Sequence, residues 1–380
     1  MYYALQRVRE MCMSNNSRES DFKICYLKGV RLKAKEKTHK DDPDRESLEH
    51  IIPNALGGKL TSEEILSHSG NQQLNDEIDK DFVKIFASFS SRLDIHKDRR
   101  SSPSMRAFHL DHEQKVIYKN GKYFPVVPFY DKGSKTIYAN SVSNANNYRR
   151  HLVNVGDISE EDEVRLADDM AGNIEAPFGF DNDNFKRGLA KIAVGYAVLN
   201  GIAREQLTAA LDLQNKTFAK KILLVPSLPT SQGEAFIEEN IESSPHYPCH
   251  TLTLCGHEGI LYCHVELFNA FQWYVVLSEN YQGADIYRAY TYDILNNEEI
   301  SRSSYILSVD PTKDALELAK HRRLARAHLE HMAYVLSTDI AKVRGYNHFK
   351  FKQLSGFTNR YFVYNKAIAL GLISEETPQL

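Results

Sequence analysis

At 380 residues the chain is longer than one ordinary domain and suits two, or two and a half. With 42% hydrophobic and 11% aromatic residues it can bury ordinary cores, which excludes wholesale disorder. A formal net charge of -3 excludes a uniformly basic nucleic-acid coat, so any surface for a polyanion must be a local patch, offset by acidic stretches at 158–163 and 237–242.

Residues 1–24 combine a short helical opening with a polar stretch, and Met1 to Glu10 carries no apolar segment of the secretory kind. A basic run follows at 28–40, with Lys28, Arg31, Lys33, Lys35, Lys37 and Lys40. It reads equally as a solvated loop or as an arm touching phosphate. The candidate site occupies 46–80. Beyond it Ile78, Phe82, Ile85, Phe86 and Phe89 recur with a helical period. A polar, basic break at 96–103 closes a first domain, 1–104.

Residues 105–140 alternate in the manner of strands, and Asn120-Gly121 between two such runs signals a hairpin. Residues 141–180 read as a charged helical or irregular linker, and 105–178 is taken as a hairpin and linker region. The remainder, 179–380, reads as a larger α+β domain of regulatory or targeting character. In it Phe185, Leu189, Ile192, Ala193, Tyr196 and Leu199 share one helical face. Residues 222–292 are expected to be β-rich, and a long helix is expected over 314–336. Lys320, Arg322, Arg323 and Arg326 on that helix are expected to form a solvated face; contact with a nucleic-acid backbone is the alternative.

Histidines and cysteines crowd 246–264: His246, Cys249, His250, Cys255, His257, Cys263 and His264. Their spacing fits no zinc finger, so ordinary β structure with buried thiols is expected. Five cysteines in all make no disulfide framework, and no run approaches the ~18 apolar residues of a membrane span. A cytoplasmic protein without a membrane partner is the resulting expectation.

The chemistry sits in Leu48-Glu49-His50-Ile51-Ile52-Pro53, followed by Gly57-Gly58 and then Asn71 to Asp79. This segment resembles the HNH, or ββα-metal, endonucleases, in a branch whose first element reads Glu-His-Ile-Ile-Pro and whose last carries Asn. The resemblance covers about 55 residues, 25–80. It implies an α+β fold with an N-terminal ββα-metal nuclease domain. It also implies hydrolysis of DNA phosphodiester bonds, one strand nicked per site. By the same resemblance His50 is the general base, and Glu49, Asn71 and Asn75 hold the ion. Adjacent strand residues point opposite ways, so Glu49 is expected to face the metal and His50 the attacking water. Oxygen ligands suit Mg²⁺ or Mn²⁺.

A second strand is expected at 64–66 and a helix start near Asn71. The family's middle residue falls near Ser62, and Asp79 reads as a surface or supporting carboxylate. Many relatives add a structural zinc on two Cys-x-x-Cys pairs. Here Cys25 with Lys28 stands for the first pair and Ser67-His68-Ser69-Gly70 for the second. One thiolate cannot build a four-cysteine site, so no structural zinc is expected. Packing by Phe22, Ile24, Ile65, Leu66, Ile78 and Phe82 should replace it. An HNH domain fused to an unrelated α+β domain is similar in architecture to phage-defence effectors, including the nuclease subunit of type II Zorya systems. That implies DNA and other defence proteins as partners. A nucleic-acid-binding or regulatory protein on a degenerate HNH scaffold, or an RNase, are the alternatives.

Overall fold

The computed structural model describes residues 23–95, 104–119, 122–170, 172–175, 182–312 and 326–374. Strand β1, Glu49–His50, pairs antiparallel with β2, Thr61–Ser62, setting Glu49 opposite Ser62 and His50 opposite Thr61. The second strand therefore lies earlier than the expected 64–66. A 3₁₀ turn at Asn54–Leu56 ends on Gly57 at φ 92°, and the chain doubles back at once. Gly58 then passes so close that a Cβ there would lie 2.1 Å from the Ile52 carbonyl oxygen. Ile65 and Leu66 are consequently past the strand, and both are buried in the core.

Helix α1 spans His68–Leu74 and is capped by Ser67, whose hydroxyl accepts from the Gly70 amide. It starts before Asn71, so Asn71 is a helix-interior residue and not a cap. A π turn follows at Asn75–Asp79, where the Lys80 amide donates to the Asn75 carbonyl five residues back. Helices α2, Lys80–Ile85, and α3, Ala87–Arg92, complete the unit. Ile78, Phe82, Ile85, Phe86 and Phe89 are all buried, as their period requires. Ile24, expected in this core, is instead 45% exposed, and Phe22 lies outside the described residues.

Strands β3 (Ser104–His109), β4 (Gln114–Lys119) and β5 (Lys122–Pro125) form an antiparallel meander with Lys119 opposite Lys122. That register suits a two-residue turn; Asn120 and Gly121 themselves, like 96–103, lie outside the described residues. Then come β6 (Phe129–Asp131), β7 (Thr136–Tyr138), α4 (Val142–Asn154), β8 (Arg165–Ala167) and β9 (Ile174–Glu175). Strand β8 runs parallel to β7 and β9 joins β3, so the region expected as linker is built into two sheets.

Helix α5, Asp183–Leu199, buries Phe185, Leu189, Ile192, Ala193 and Tyr196. After the short pair β10 (Leu211–Asp212) and β11 (Thr217–Phe218), a six-stranded antiparallel sheet has the order β12-β15-β14-β13-β16-β17. Its strands are β12 (Leu224–Pro226), β13 (Cys249–His257), β14 (Ile260–Leu267), β15 (Phe271–Ser278), β16 (Ile286–Asp293) and β17 (Glu298–Ile300). The expected β-rich stretch is thus interrupted by one helix, α6, Gln232–Asn240. Helices α7 (Arg302–Val309), α8 (Arg326–Thr338) and α9 (Ile340–Ala369) close the chain. The first part of the expected 314–336 helix, with Lys320, Arg322 and Arg323, lies outside the described residues.

Helix α5 lies between the ββα unit and the large sheet. Phe86 stacks edge-on to Phe271 at 5.1 Å, Phe82 lies 6.3 Å from Phe185, and Phe185 lies 5.9 Å from Trp273. One buried cluster accordingly runs from Cys25 and Phe82 through Leu189 to Leu252 and Leu354. Each buried Phe contributes about 1.5–3 kcal/mol of apolar transfer free energy, so this shared core dominates the attachment of the two parts. Among the described residues no helix is long and apolar enough to cross a membrane.

Candidate active site

Strand β1, the turn after it and one face of the α1–π–α2 rod enclose a cleft of about 920 Å³. Glu49 and His50 both line it, although strand alternation was expected to separate them. The two-residue strand ends at His50, so the alternation is not sustained. Glu49 lies at the floor, 3% exposed, while His50 is half-buried at the wall. Burial pushes the Glu49 carboxyl above its ordinary range, and the charge of Lys191 pulls it part of the way back.

Asn71, Asn75 and Asp79 all face the cleft. In an unbroken α-helix Asp79 would sit about 80° past the face of Asn71, because eight residues exceed two turns of 3.6. The wider π turn removes that drift. The Asn71 amide nitrogen donates to Ser47 Oγ at 2.8 Å and to the Leu48 carbonyl at 3.0 Å. Helix α1 is thereby fastened to the strand entering β1, and the Asn71 side-chain oxygen is left as the atom for a ligand. Asn75 is exposed, and its amide contacts Asp76 at 3.4 Å.

The floor of the cleft holds a residue that the motif does not contain. Lys191, from the middle of α5, is 2% exposed and reaches Glu49 Oε1 at 2.6 Å. This contact is a short ion pair, made outside good hydrogen-bond alignment at Oε1. The same ammonium donates to both Asp79 oxygens at 2.9 Å. Burial alone would lower the Lys191 pKa, but Glu49 and Asp79 together raise it, and the group is held protonated. Asp79 thus supports the site by anchoring a lysine. The visible sign of Lys191 in the sequence is a lone charge inside the apolar run 188–199, since lysines are almost never fully buried unless paired. His68 also lines the cleft and was not singled out.

Below the site, the positions corresponding to the two cysteine pairs converge. The Cys25 sulfur accepts from the Lys28 amide and from Ser67 Oγ, each at 3.4 Å. A Cβ on Gly70 would lie 3.0 Å from that sulfur. A thiol, a hydroxyl and a glycine therefore occupy the corner as a small packed cluster. Arg204 Nε donates to the Tyr26 carbonyl at 2.8 Å and ties this corner to the residues after α5. On the other side His250 Nε2 donates to the Leu56 carbonyl at 2.8 Å, and its Nδ1 accepts from the Phe268 amide. The turn after the motif is thus pinned to β13.

The crowded segment 246–264 forms β13 and β14, with Cys249, Cys255 and Cys263 buried, as expected. Among the described residues His246 is the member of that group that joins a cluster with metal-like spacing, with Asp293 and Glu298. Asp293 there accepts from Leu295, Asn296 and His246 and stabilises the β16–β17 turn. In the basic run Lys33 pairs with Asp42 and Asp44, and Lys35 with Glu63, which favours the solvated-loop reading for those two lysines. Arg326 at the start of α8 donates to the Glu279 carbonyl at 2.8 Å.

A β-hairpin bearing Glu49-His50, packed on a helix bearing Asn71, makes a ββα arrangement. Residues 36–87 match the family model of the HNH endonucleases. The match supports an HNH family, a nuclease activity and a nucleic-acid substrate. No curated protein and no solved structure matches the chain.

Proposed function

We propose that this chain is a metal-dependent endonuclease that hydrolyses DNA phosphodiester bonds, cutting one strand per site. The observation that carries the reading is the meeting of His50, Glu49 and Asn71 in one cleft, with Asn71 tied to the backbone just before Glu49. The donor set fits a hard divalent ion, Mg²⁺ or Mn²⁺. Glu49 Oε1 is a buried carboxylate oxygen without an aligned hydrogen bond, and the side-chain oxygen of Asn71 remains as a ligand atom. Asn75, on the exposed side of the same rod, completes the oxygen set. When bound, such an ion supplies a Lewis acid for the scissile phosphate and the leaving oxygen.

His50, at the wall of the cleft, takes the proton of the attacking water. Lys80 and Lys84 line the cleft mouth, each paired with a carboxylate of the same rod, Asp76 and Asp81, and each would exchange that exposed partner for a flanking phosphate. In this reading the fused sheet and helices regulate or target the site. The resemblance of an HNH domain fused to an unrelated α+β domain to phage-defence effectors is what suggests a role in bacterial defence, in the cytoplasm and with other defence proteins.

The test is cleavage of supercoiled plasmid with Mg²⁺ or Mn²⁺. Wild type is expected to produce nicked circles, and excess EDTA to stop it. His50→Ala is expected to lose about 10²-fold or more in rate while still binding DNA; full activity in that variant sinks the assignment. A parallel arm with single-stranded RNA decides between DNase and RNase. A second reading, a binding or regulatory protein on this scaffold, draws on the engagement of Glu49 by Lys191. It is expected to bind plasmid without nicking it.

A further inference from the structure

The Lys191 ammonium touches two carboxylates of the cleft, the buried Glu49 at 2.6 Å and the half-buried Asp79 at 2.9 Å. It is delivered by a helix that belongs to the shared core and cannot easily withdraw. Gly188, one turn earlier, lies against the Phe82 ring, where a Cβ would sit 2.0 Å from the ring carbon Cδ2. Leu189, Ile192 and Ala193 around the lysine are fully buried. The ammonium is therefore a fixed positive charge on the floor of the cleft, and Glu49 is its point of contact with the ion site.

We infer that Lys191 is a tethered cation that shares the Glu49 carboxylate with the divalent ion and keeps the affinity of the site for that ion low. This rests on the nuclease reading of the cleft. Like charges a few ångströms apart in a partly desolvated site repel strongly, so an ion on Glu49 pays for the presence of the ammonium. With the ion bound, Glu49, Asp79 and Lys191 leave the site net positive. A phosphate entering the cleft relieves that excess. Ion and nucleic acid consequently bind together more tightly than either does alone, which holds the chemistry back when no substrate is present.

The experiment measures Mn²⁺ binding to the full-length protein by the electron paramagnetic resonance of free Mn²⁺. It compares wild type, Lys191→Met, and Lys191→Met combined with Asp79→Asn. The double variant keeps the charge balance of the floor and is expected to fold. Lys191→Met is expected to bind Mn²⁺ roughly tenfold tighter or more than wild type, and the double variant, which frees Glu49 from its contact at unchanged net charge, tighter than wild type by a smaller factor. Adding an oligonucleotide in a His50→Ala background should tighten Mn²⁺ binding with Lys191 present and have little effect in the Lys191→Met single variant, whose ion-bound floor is neutral.

Unchanged or weaker Mn²⁺ binding in a folded variant overturns the inference. Failure of both variants to fold also overturns it, because Lys191 would then be a structural counter-ion. Glu49→Gln separates the two levels of the argument. If it leaves wild-type Mn²⁺ binding intact, the metal-site assignment itself fails. If it abolishes binding while Lys191→Met has no effect, only the inference falls.

Discussion

Lys350 and Lys191 are both buried ammoniums facing glutamates, yet their surroundings differ. Lys350, on α9, reaches Glu238 Oε2 at 2.8 Å and also donates to the Glu238 carbonyl. Gln272 donates to that same carboxylate oxygen, and Gln353 to the carbonyls of Glu238 and Glu239. Lys191 meets a carboxylate whose oxygen takes no aligned hydrogen bond and whose residue opens onto a large cleft. A buried ion pair is stable where hydrogen bonds complete it. One left incomplete beside solvent is suited to exchanging partners.

The sharpest way to break this comparison is to remove each ammonium in turn. Lys350→Met strands the Glu238 carboxylate among packed helices, at an expected cost of about 3–5 kcal/mol in urea unfolding. Added Mn²⁺ should recover none of it. Lys191→Met should lose stability too, but Mn²⁺ should restore part of the loss, because an ion can reach Glu49 from the cleft. Equal behaviour of the two variants towards Mn²⁺ would erase the distinction.

A smaller effect tests how the two regions are joined. His250 is buried and neutral, and burial lowers its pKa to about 4 despite the hydrogen bond to Leu56. The unfolded chain, with an ordinary histidine near 6.5, binds the proton more readily between those values. Stability from this group is therefore complete above about pH 6.5 and is lost as pH falls towards 4, by about 3 kcal/mol in all. Urea midpoints at pH 7 and pH 4.5 measure it, and His250→Gln should flatten the difference. Smaller again, Gly188→Ala should cost about 1–3 kcal/mol by forcing α5 away from Phe82. Its melting temperature should fall, with the wild-type response to Mn²⁺ disturbed because Lys191 moves with the helix.

The parts of this molecule legible in the sequence are those set by near neighbours. The period of Ile78, Phe82, Ile85, Phe86 and Phe89 announces a buried helical face, and Glu49-His50 with Gly57-Gly58 announces a strand and a sharp return. Local reading failed where tertiary geometry decides. The strand after that return begins at Thr61 because Gly58 lets the backbone pass Ile52 closely, which no alternation pattern reports. The 30 residues of α9 scatter aromatic, basic and polar side chains without a clean stripe, so their helix emerges only from packing. Lys191 lies 112 residues from Asp79, and Lys350 the same distance from Glu238. Spacing along the chain cannot pair groups so far apart.

The π turn at Asn75–Asp79 also determines how this segment tolerates changes in length. Such a turn holds one residue more than an ordinary helical ladder needs. Deleting that residue would leave a continuous helix with everything downstream still in phase, because the π turn already absorbs it without advancing the rotation. An inserted residue has no such slack: everything downstream would swing by about 100°, Phe82 and Phe86 would leave the core, and the carboxylate that grips Lys191 would face elsewhere. Substitutions on the outer face of 71–82 and a single-residue deletion in the π turn should be borne, whereas a single-residue insertion should be ruinous. The alignment of the cleft is stored in a count of residues as much as in their identities.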